Sequence, residues 1–206
     1  MVVQYFEKVD SIMLPVAPLM IEHRLIERII AVLRYEVNRA RETRMIDIFC
    51  IDNAVDFIRT YADQTHHGKE EDILFRELKN KELSDEHATI MAELIQEHAT
   101  ARSTTKVLVA AKERFVAGDD AGLDEMLENL DFLVNFYPNH IEKEDKRFFV
   151  QVMKYFTATE QEAMLMEGRE YDRKMIHRRY ERTVIEHEKE RGITDVKMKS
   201  NWLDYI

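Results

Sequence analysis

Residues 66–75 and 140–149 carry one pattern twice. His66-His67-Gly68-Lys69-Glu70-Glu71-Asp72-Ile73-Leu74-Phe75 and His140-Ile141-Glu142-Lys143-Glu144-Asp145-Lys146-Arg147-Phe148-Phe149 both read H-x-x-K-E-acid-x-x-apolar-F. On an α-helix, residues i and i+4 share a face one turn apart. Each copy therefore presents an imidazole and a carboxylate as a two-toothed clamp, with an aromatic further along. A single H-x-x-x-E arises by chance on polar helices. Two copies with matching Lys, acid and Phe require two helices that turn their clamps toward a common interior, which is the construction of a site inside a helical bundle.

Two further histidines lie on apolar helical stripes. His23 shares its face with Leu19, Ile26, Ile30, Leu33 and Val37, and His98 aligns with Met91, Leu94, Thr105 and Leu108. His140 follows Leu130, Leu133 and Tyr137, while His66 and Glu70 continue a stripe of Ile51, Val55, Ile58 and Ala62. Each falls on the face that a bundle buries. If antiparallel helices meet at a turn, residues equidistant from it lie at one height. The midpoint of His23 and His66 falls between Arg44 and Met45, that of His66 and His98 at Glu82, and that of His98 and His140 at Asp119. Ser84-Asp85 is a good N-cap pair, Gly118-Asp119-Asp120 a stop and restart, and Asp47 a cap for the second helix.

The expectation is an all-α chain: an up-down-up-down four-helix bundle over residues 1–156, with an additional C-terminal helix in a charged extension, residues 157–206. The bundle helices should run over Pro18–Thr43, Asp47–Asn80, Asp85–Ala117 and Asp119–Phe156. Five glycines and three prolines in 206 residues leave few breaks. The extension opens with the capping-box pattern Thr157-Ala158-Thr159-Glu160 and reads as one helix to about Arg191. Its stripe of Ile176, Tyr180 and Val184 could pack on the bundle or on a second chain, making a homo-oligomer. His177 and His187 read as solvated, and Asn201–Ile206 as apolar enough to dock.

A net charge of −10 argues against nucleic acid and anionic membranes as partners. Cys50, the only cysteine, excludes an intramolecular disulfide, a zinc ribbon and an iron–sulfur site, and its apolar neighbours indicate a buried thiol. No run reaches membrane-spanning length and the first residues lack the basic-then-apolar order of a signal peptide, so a cytoplasmic protein is expected. No phosphate loop or nucleophilic triad appears.

Four imidazoles and two carboxylates suit iron, manganese or zinc better than calcium or magnesium. Two metals bridged by Glu70 and Glu144, each holding two histidines, would use every donor and leave positions open for a small molecule. Glu22 and Glu97, each one residue before a histidine, are candidate acidic partners of the ligand histidines, although the i−1 position points them away from the ligand face and favours solvent.

The pattern resembles the hemerythrin-like, or HHE cation-binding, family. The resemblance covers about Pro18 to Phe149 and rests on E-H-R in the first helix, H-H-G-K-E-E-D-I-L-F in the second, Q-E-H in the third and H-I-E-K-E-D in the fourth. It implies a four-helix bundle around a non-haem di-iron centre held by His23, His66, Glu70, His98, His140 and Glu144, with His67 and Glu71 as a second clamp shifted by one residue. Oxygen carriers of the family have a fifth histidine one turn after the position of His98, where this chain has Arg102. With four histidines the set is more similar to the branch that protects or repairs iron centres under nitrosative stress, which also contains sensors. The implied function is to bind, reduce or sense a small diatomic molecule (oxygen or nitric oxide) or peroxide, or to handle iron. Whether this involves enzymatic turnover stays open. Two other readings remain: an interaction module merely stapled by metal, and a metal-free bundle with a histidine pH switch. For Arg102, an inward pose against the site and an outward, solvated one are both open.

Overall fold

The computed structural model describes residues 13–173 and 176–193, and every regular element among them is helical. Helix α1 is Ala17–Thr43. Its end is set by Arg44, whose φ of 58° takes the left-handed conformation and whose N–H closes on the Ala40 carbonyl. Helix α2 covers residues 48–78 and starts at Asp47, whose side chain accepts from the Cys50 N–H. Helix α3 is Asp85–Val116, capped by Ser84 through the His87 N–H. The chain then turns at Gly118, with φ of 97°, a conformation that suits a residue without Cβ. Helix α4 covers residues 121–152. A Cβ at Gly122 would sit 2.6 Å from the Phe115 nitrogen, so the tight α3–α4 corner needs glycine there. The turns fall where the equal-height argument puts them.

Three stretches, at or leading into the two clamps, depart from regular α-helix toward the π form. Within α2, Ile58–His67 and Glu70–Phe75 are π-helical, and within α4 so is Glu144–Phe148. In a π-turn the ladder closes at i−5 rather than i−4; Thr65 adds a bond of this spacing, its hydroxyl donating to the Thr60 carbonyl at 2.8 Å. Pro138 lies inside α4 and has no N–H for the Val134 carbonyl, and Arg34 of α1 donates to that carbonyl instead.

The extension differs from expectation. It forms two helices, α5 (Ala158–Asp172) and α6 (Ile176–Glu190), where one was expected. The capping box at Thr157 and Glu160 is present. The break lets each helix cover a different part of the bundle. Met164 of α5 joins the apolar cluster of Leu19, Ile73, Phe75, Leu94 and Phe148, whereas Tyr180 and Val184 of α6 join the cluster of Ile29, Leu33, Phe57 and Tyr61. Tyr180 and Val184 of the stripe thus pack within the chain. His187 is buried rather than solvated, because docking of α6 brings it against Asn53 at 3.2 Å and beside the Phe49 ring. The side chain of His177, and residues 201–206, lie outside the described part. Cys50 is buried, and burial pushes its thiol up to about 12, which leaves it inert. No described helix is long and apolar enough to cross a membrane.

The two apolar clusters occupy opposite ends of the bundle. Between them, at the height of His23, His66, His98 and His140, lies a layer of buried polar side chains.

Candidate metal centre

The layer brings together all six residues singled out by the sequence, and a seventh. The donor atoms of His23, His66, Glu70 and Glu144 lie within 4.8 Å of one another, as do those of His67, His98 and His140. His67 is the addition. Sequence spacing offered it as an alternative to His66, because on an α-helix adjacent residues are about 100° apart. The structure turns both inward, at 1% exposure each, through the π-helical stretch that carries them. His67 stacks on His98 with centroids 3.8 Å apart and meets His140 edge-on. A fifth histidine therefore reaches the cluster, from position 67 rather than from position 102.

The two glutamates span the sets. Glu70 places Oε1 3.5 Å from His66 Nε2 and Oε2 3.4 Å from His98 Nε2. Glu144 places Oε2 3.1 Å from His23 Nε2, and Oε1 3.3 Å from His140 Nε2 and 3.7 Å from His98 Nε2. None of these approaches makes a hydrogen bond of proper geometry. The Nε2 atoms of His23, His66, His98 and His140 and all four oxygens of Glu70 and Glu144 are buried without a hydrogen-bond partner. Eight orphaned polar atoms at one point are costly in a protein interior, unless something satisfies them together.

The outer sides of the rings are fully provided for. Every Nδ1 meets a carboxylate: His23 with Asp145 at 2.8 Å, His66 with Glu22 at 2.8 Å, His67 with Asp63 at 3.3 Å, His98 with Glu71 at 2.7 Å and His140 with Glu97 at 2.8 Å. A carboxylate at Nδ1 fixes the ring's tautomer and aims the Nε2 lone pair at the centre, as around metal-bound imidazoles. Of this ring of acids the sequence offered only Glu22 and Glu97 as partners, and it favoured solvent for both. Glu22, expected to face solvent, is fully buried, and Glu97 accepts from His140 on the next helix. Each points off its own helix's ligand face but directly at the neighbouring helix. The repeated Glu-His pair, at 22–23 and 97–98, was the signal that could have found them.

The two copies of the motif are used in the same way. Lys69 donates to Glu22, which holds His66, and Lys143 to Glu97, which holds His140. Glu71 and Asp145 hold the histidines of the opposite pair, His98 and His23. Phe75 stacks on His98 with an interplanar angle of 13°, and Phe149 on His23 with 10°. Arg102 takes the outward of the two poses left open by the sequence, with acid partners in place of solvent alone. It is 40% exposed and donates to Asp63 and Glu71, behind His67 and His98.

The electrostatics ask for positive charge at the centre. Seven carboxylates (Glu22, Asp63, Glu70, Glu71, Glu97, Glu144, Asp145) face four cationic side chains, those of Arg24, Lys69, Arg102 and Lys143. Burial, together with Glu144 beside it, pushes Glu70 well above the usual carboxylate range. Burial also opposes ionisation of Glu144, but His140, His23 and His98 outweigh it and hold this carboxyl well below that range. His66 is lowered to about 4, chiefly by burial. His23 goes the other way: burial lowers it, yet Asp145 and Glu144 raise it to about 9. An imidazole set, with His23 giving up its proton, and two buried carboxylates fits divalent cations of the borderline class, since imidazole suits iron and zinc while hard cations prefer oxygen.

A cavity of about 310 Å³ reaches the cluster at His67, lined by Asp63, Arg102, Thr105 and Tyr137 among others. The Tyr137 hydroxyl is buried there without a hydrogen-bond partner.

No curated protein and no solved structure matches the chain. The family description of the hemerythrin HHE cation-binding domain matches residues 14–152, which takes in all four bundle helices and every residue of the site, and the chain belongs to that family.

Proposed function

We propose that the polar layer is a di-iron centre that binds a small molecule of the oxygen, nitric oxide or peroxide type. The observation that carries the proposal is the convergence of eight unpartnered buried atoms, with Glu70 and Glu144 each turning one oxygen to either histidine set. His67, His98 and His140 would hold one cation and His23 and His66 the other, with the two glutamates shared. Manganese or zinc could use the same donors, and iron is favoured by the family's chemistry. The uneven histidine count supports small-ligand binding over a purely structural staple, because the cation held by His23 and His66 has one protein donor fewer and so an open position. Bound iron would supply a redox-active Lewis acid at that position.

The chain's own groups do the remaining work. Five carboxylates keep the imidazoles oriented and raise their basicity. Phe75 and Phe149, fully buried, exclude water from the apolar end. The cavity beside His67 gives solvent and small solutes a way toward the layer. The reading includes a cytoplasmic location without nucleic-acid or anionic-membrane partners, which the overall charge of −10 supports.

The test is elemental analysis joined to a visible spectrum, on protein purified without added metal. About two irons per chain, and a spectrum altered by nitric oxide, are expected. One zinc and no iron, from cells supplied with both, would overturn the proposal.

A further inference from the structure

The extension lies outside the region shared with the family, yet one of its side chains reaches the site. Lys69 Nζ, on a residue 4% exposed, donates to Glu22 and, at 2.7 Å, to Asp172 near the end of α5. Glu22 in turn accepts from His66 Nδ1. A continuous buried path therefore runs from α5 to a candidate iron ligand: Asp172, Lys69, Glu22, His66. The equivalent lysine of the other half behaves differently. Lys143 is more exposed, and its second partner is Glu93, on the bundle itself.

Helix α5 is built to reach this point. It pairs Glu160 with Lys81 at 2.6 Å and Glu167 with Arg76 through two bonds of 2.8–2.9 Å, and Tyr171 donates to Asp72 at 3.0 Å. These partners recur at helical spacing along one face. The helices pack in contact here: a Cβ on Gly168 would touch Lys69 Cδ at 3.9 Å, and one on Gly68 would touch the Tyr171 ring at 3.6 Å.

We infer that α5 docking and iron loading are coupled through Asp172 and Lys69, so that the extension reports the state of the site. The inference rests on the di-iron reading above. A buried ammonium close to the cations opposes their binding, and the Asp172 carboxylate offsets it. Docked α5 therefore favours the loaded site. Coupling between two equilibria is reciprocal, so loading favours docked α5 by the same factor. Lys69 and Asp172 are positioning residues: they act on His66 through Glu22 and touch no metal.

The experiment uses the full chain and ferrous iron under anaerobic conditions. Affinity is measured by chelator competition, and amide hydrogen exchange over residues 158–172 is followed with and without iron. Wild type should show slower exchange in α5 when loaded. Asp172→Asn should weaken iron binding on the order of tenfold, the lower end of the effect of a ligand's hydrogen-bond partner, and should abolish the iron dependence of α5 exchange. Glu167→Gln, which loosens α5 at exposed Arg76 without touching the path, should leave iron affinity within about twofold of wild type, since exposed pairs contribute little. Equal affinities in wild type and Asp172→Asn, or α5 exchange indifferent to iron in wild type, would overturn the coupling while leaving the metal centre intact. A wild type that takes up no iron would overturn the centre, and the coupling with it.

Discussion

The half made of α1 and α2 and the half made of α3 and α4 use the same parts in the same way. Glu22-His23 corresponds to Glu97-His98, and His66, Lys69, Glu70, Glu71 and Phe75 correspond to His140, Lys143, Glu144, Asp145 and Phe149. Each part makes the same contact in both halves, down to the aromatic stacked on the histidine opposite. The halves differ at two places. Position 67 is a buried histidine where its counterpart is Ile141, which belongs to an apolar cluster. Lys69 is sealed under α5 where Lys143 is partly open. On the di-iron reading, the shared parts would make a cage for two cations, and the unshared parts would make the two positions unequal. Equal halves would give two equal positions. One additional nitrogen would be enough to leave one cation better held and the other more open.

The largest effect should come from the parts that both halves share. Glu70→Ala and Glu144→Ala each remove a carboxylate that faces both histidine sets, so either should empty the site as judged by iron content after gel filtration. Their neighbours, Glu71→Ala and Asp145→Ala, remove only a partner of Nδ1 and should weaken binding by about 10–100-fold. If Glu71→Ala empties the site while Glu70→Ala keeps it, the two glutamates have been assigned the wrong roles.

His67→Ile writes the second half's residue into the first. Iron content should fall from about two toward about one per chain, with the better-held position lost, on the five-histidine count of imidazole donors. Retention of two irons with an unchanged spectrum would mean that His67 is a stacked neighbour only, and that the cage is symmetric.

Loading should also release protons. Metal-free His23 keeps its proton up to about pH 9, while His66 is already neutral above about pH 4. A ligating imidazole must be neutral and a ligating carboxylate ionised, so iron displaces a proton from His23 and opposes the one that burial favours on Glu70, and apparent affinity should rise as pH climbs toward 9. Calorimetry in buffers of different ionisation enthalpy counts those protons. A count of zero at pH 7.5 would show that His23 is neutral in the empty site.

The smallest effect concerns the cover on the first half. Thr157→Ala removes the cap of α5 and should cost about 1 kcal/mol, read as a lower midpoint of denaturant unfolding with iron content unchanged. The Glu160 side of that capping box is held at about 2 by Lys81 and by the Thr157 backbone and hydroxyl. Its support is present at neutral pH and is lost as pH falls from the ordinary carboxylate range through about 2.

The helices, their antiparallel order and the level of the site were legible because each depends on local rules. Apolar spacing places His23 and His98 on buried faces, caps mark Asp47 and Ser84, and a fixed rise per residue puts equidistant histidines at one height. What stayed hidden depends on departures from the regular helix or on contacts between helices. His67 looked like a rival of His66 because α-helical rotation separates neighbours, and nothing in the local composition announced the π-turns that bring both inward. Glu22 was judged against its own helix, although its partners, His66 and Lys69, lie on the next one. His187 is buried only because α6 folds back, and that depends on a turn near Arg173 that helical spacing in a charged segment does not mark.

The polar layer between two apolar clusters has a mechanical consequence. Each cluster is an apolar block held together by its own side chains, and the joint between them is a polar plane whose inward-facing atoms lack partners. The plane is thus the natural place for the bundle to part, as mortar is in a wall. Iron that binds only the closed form at a hundredfold excess over its Kd would strengthen the joint by about 2.7 kcal/mol. The same chain would then be pliable at mid-height when starved of metal and stiff when supplied, with both ends folded throughout.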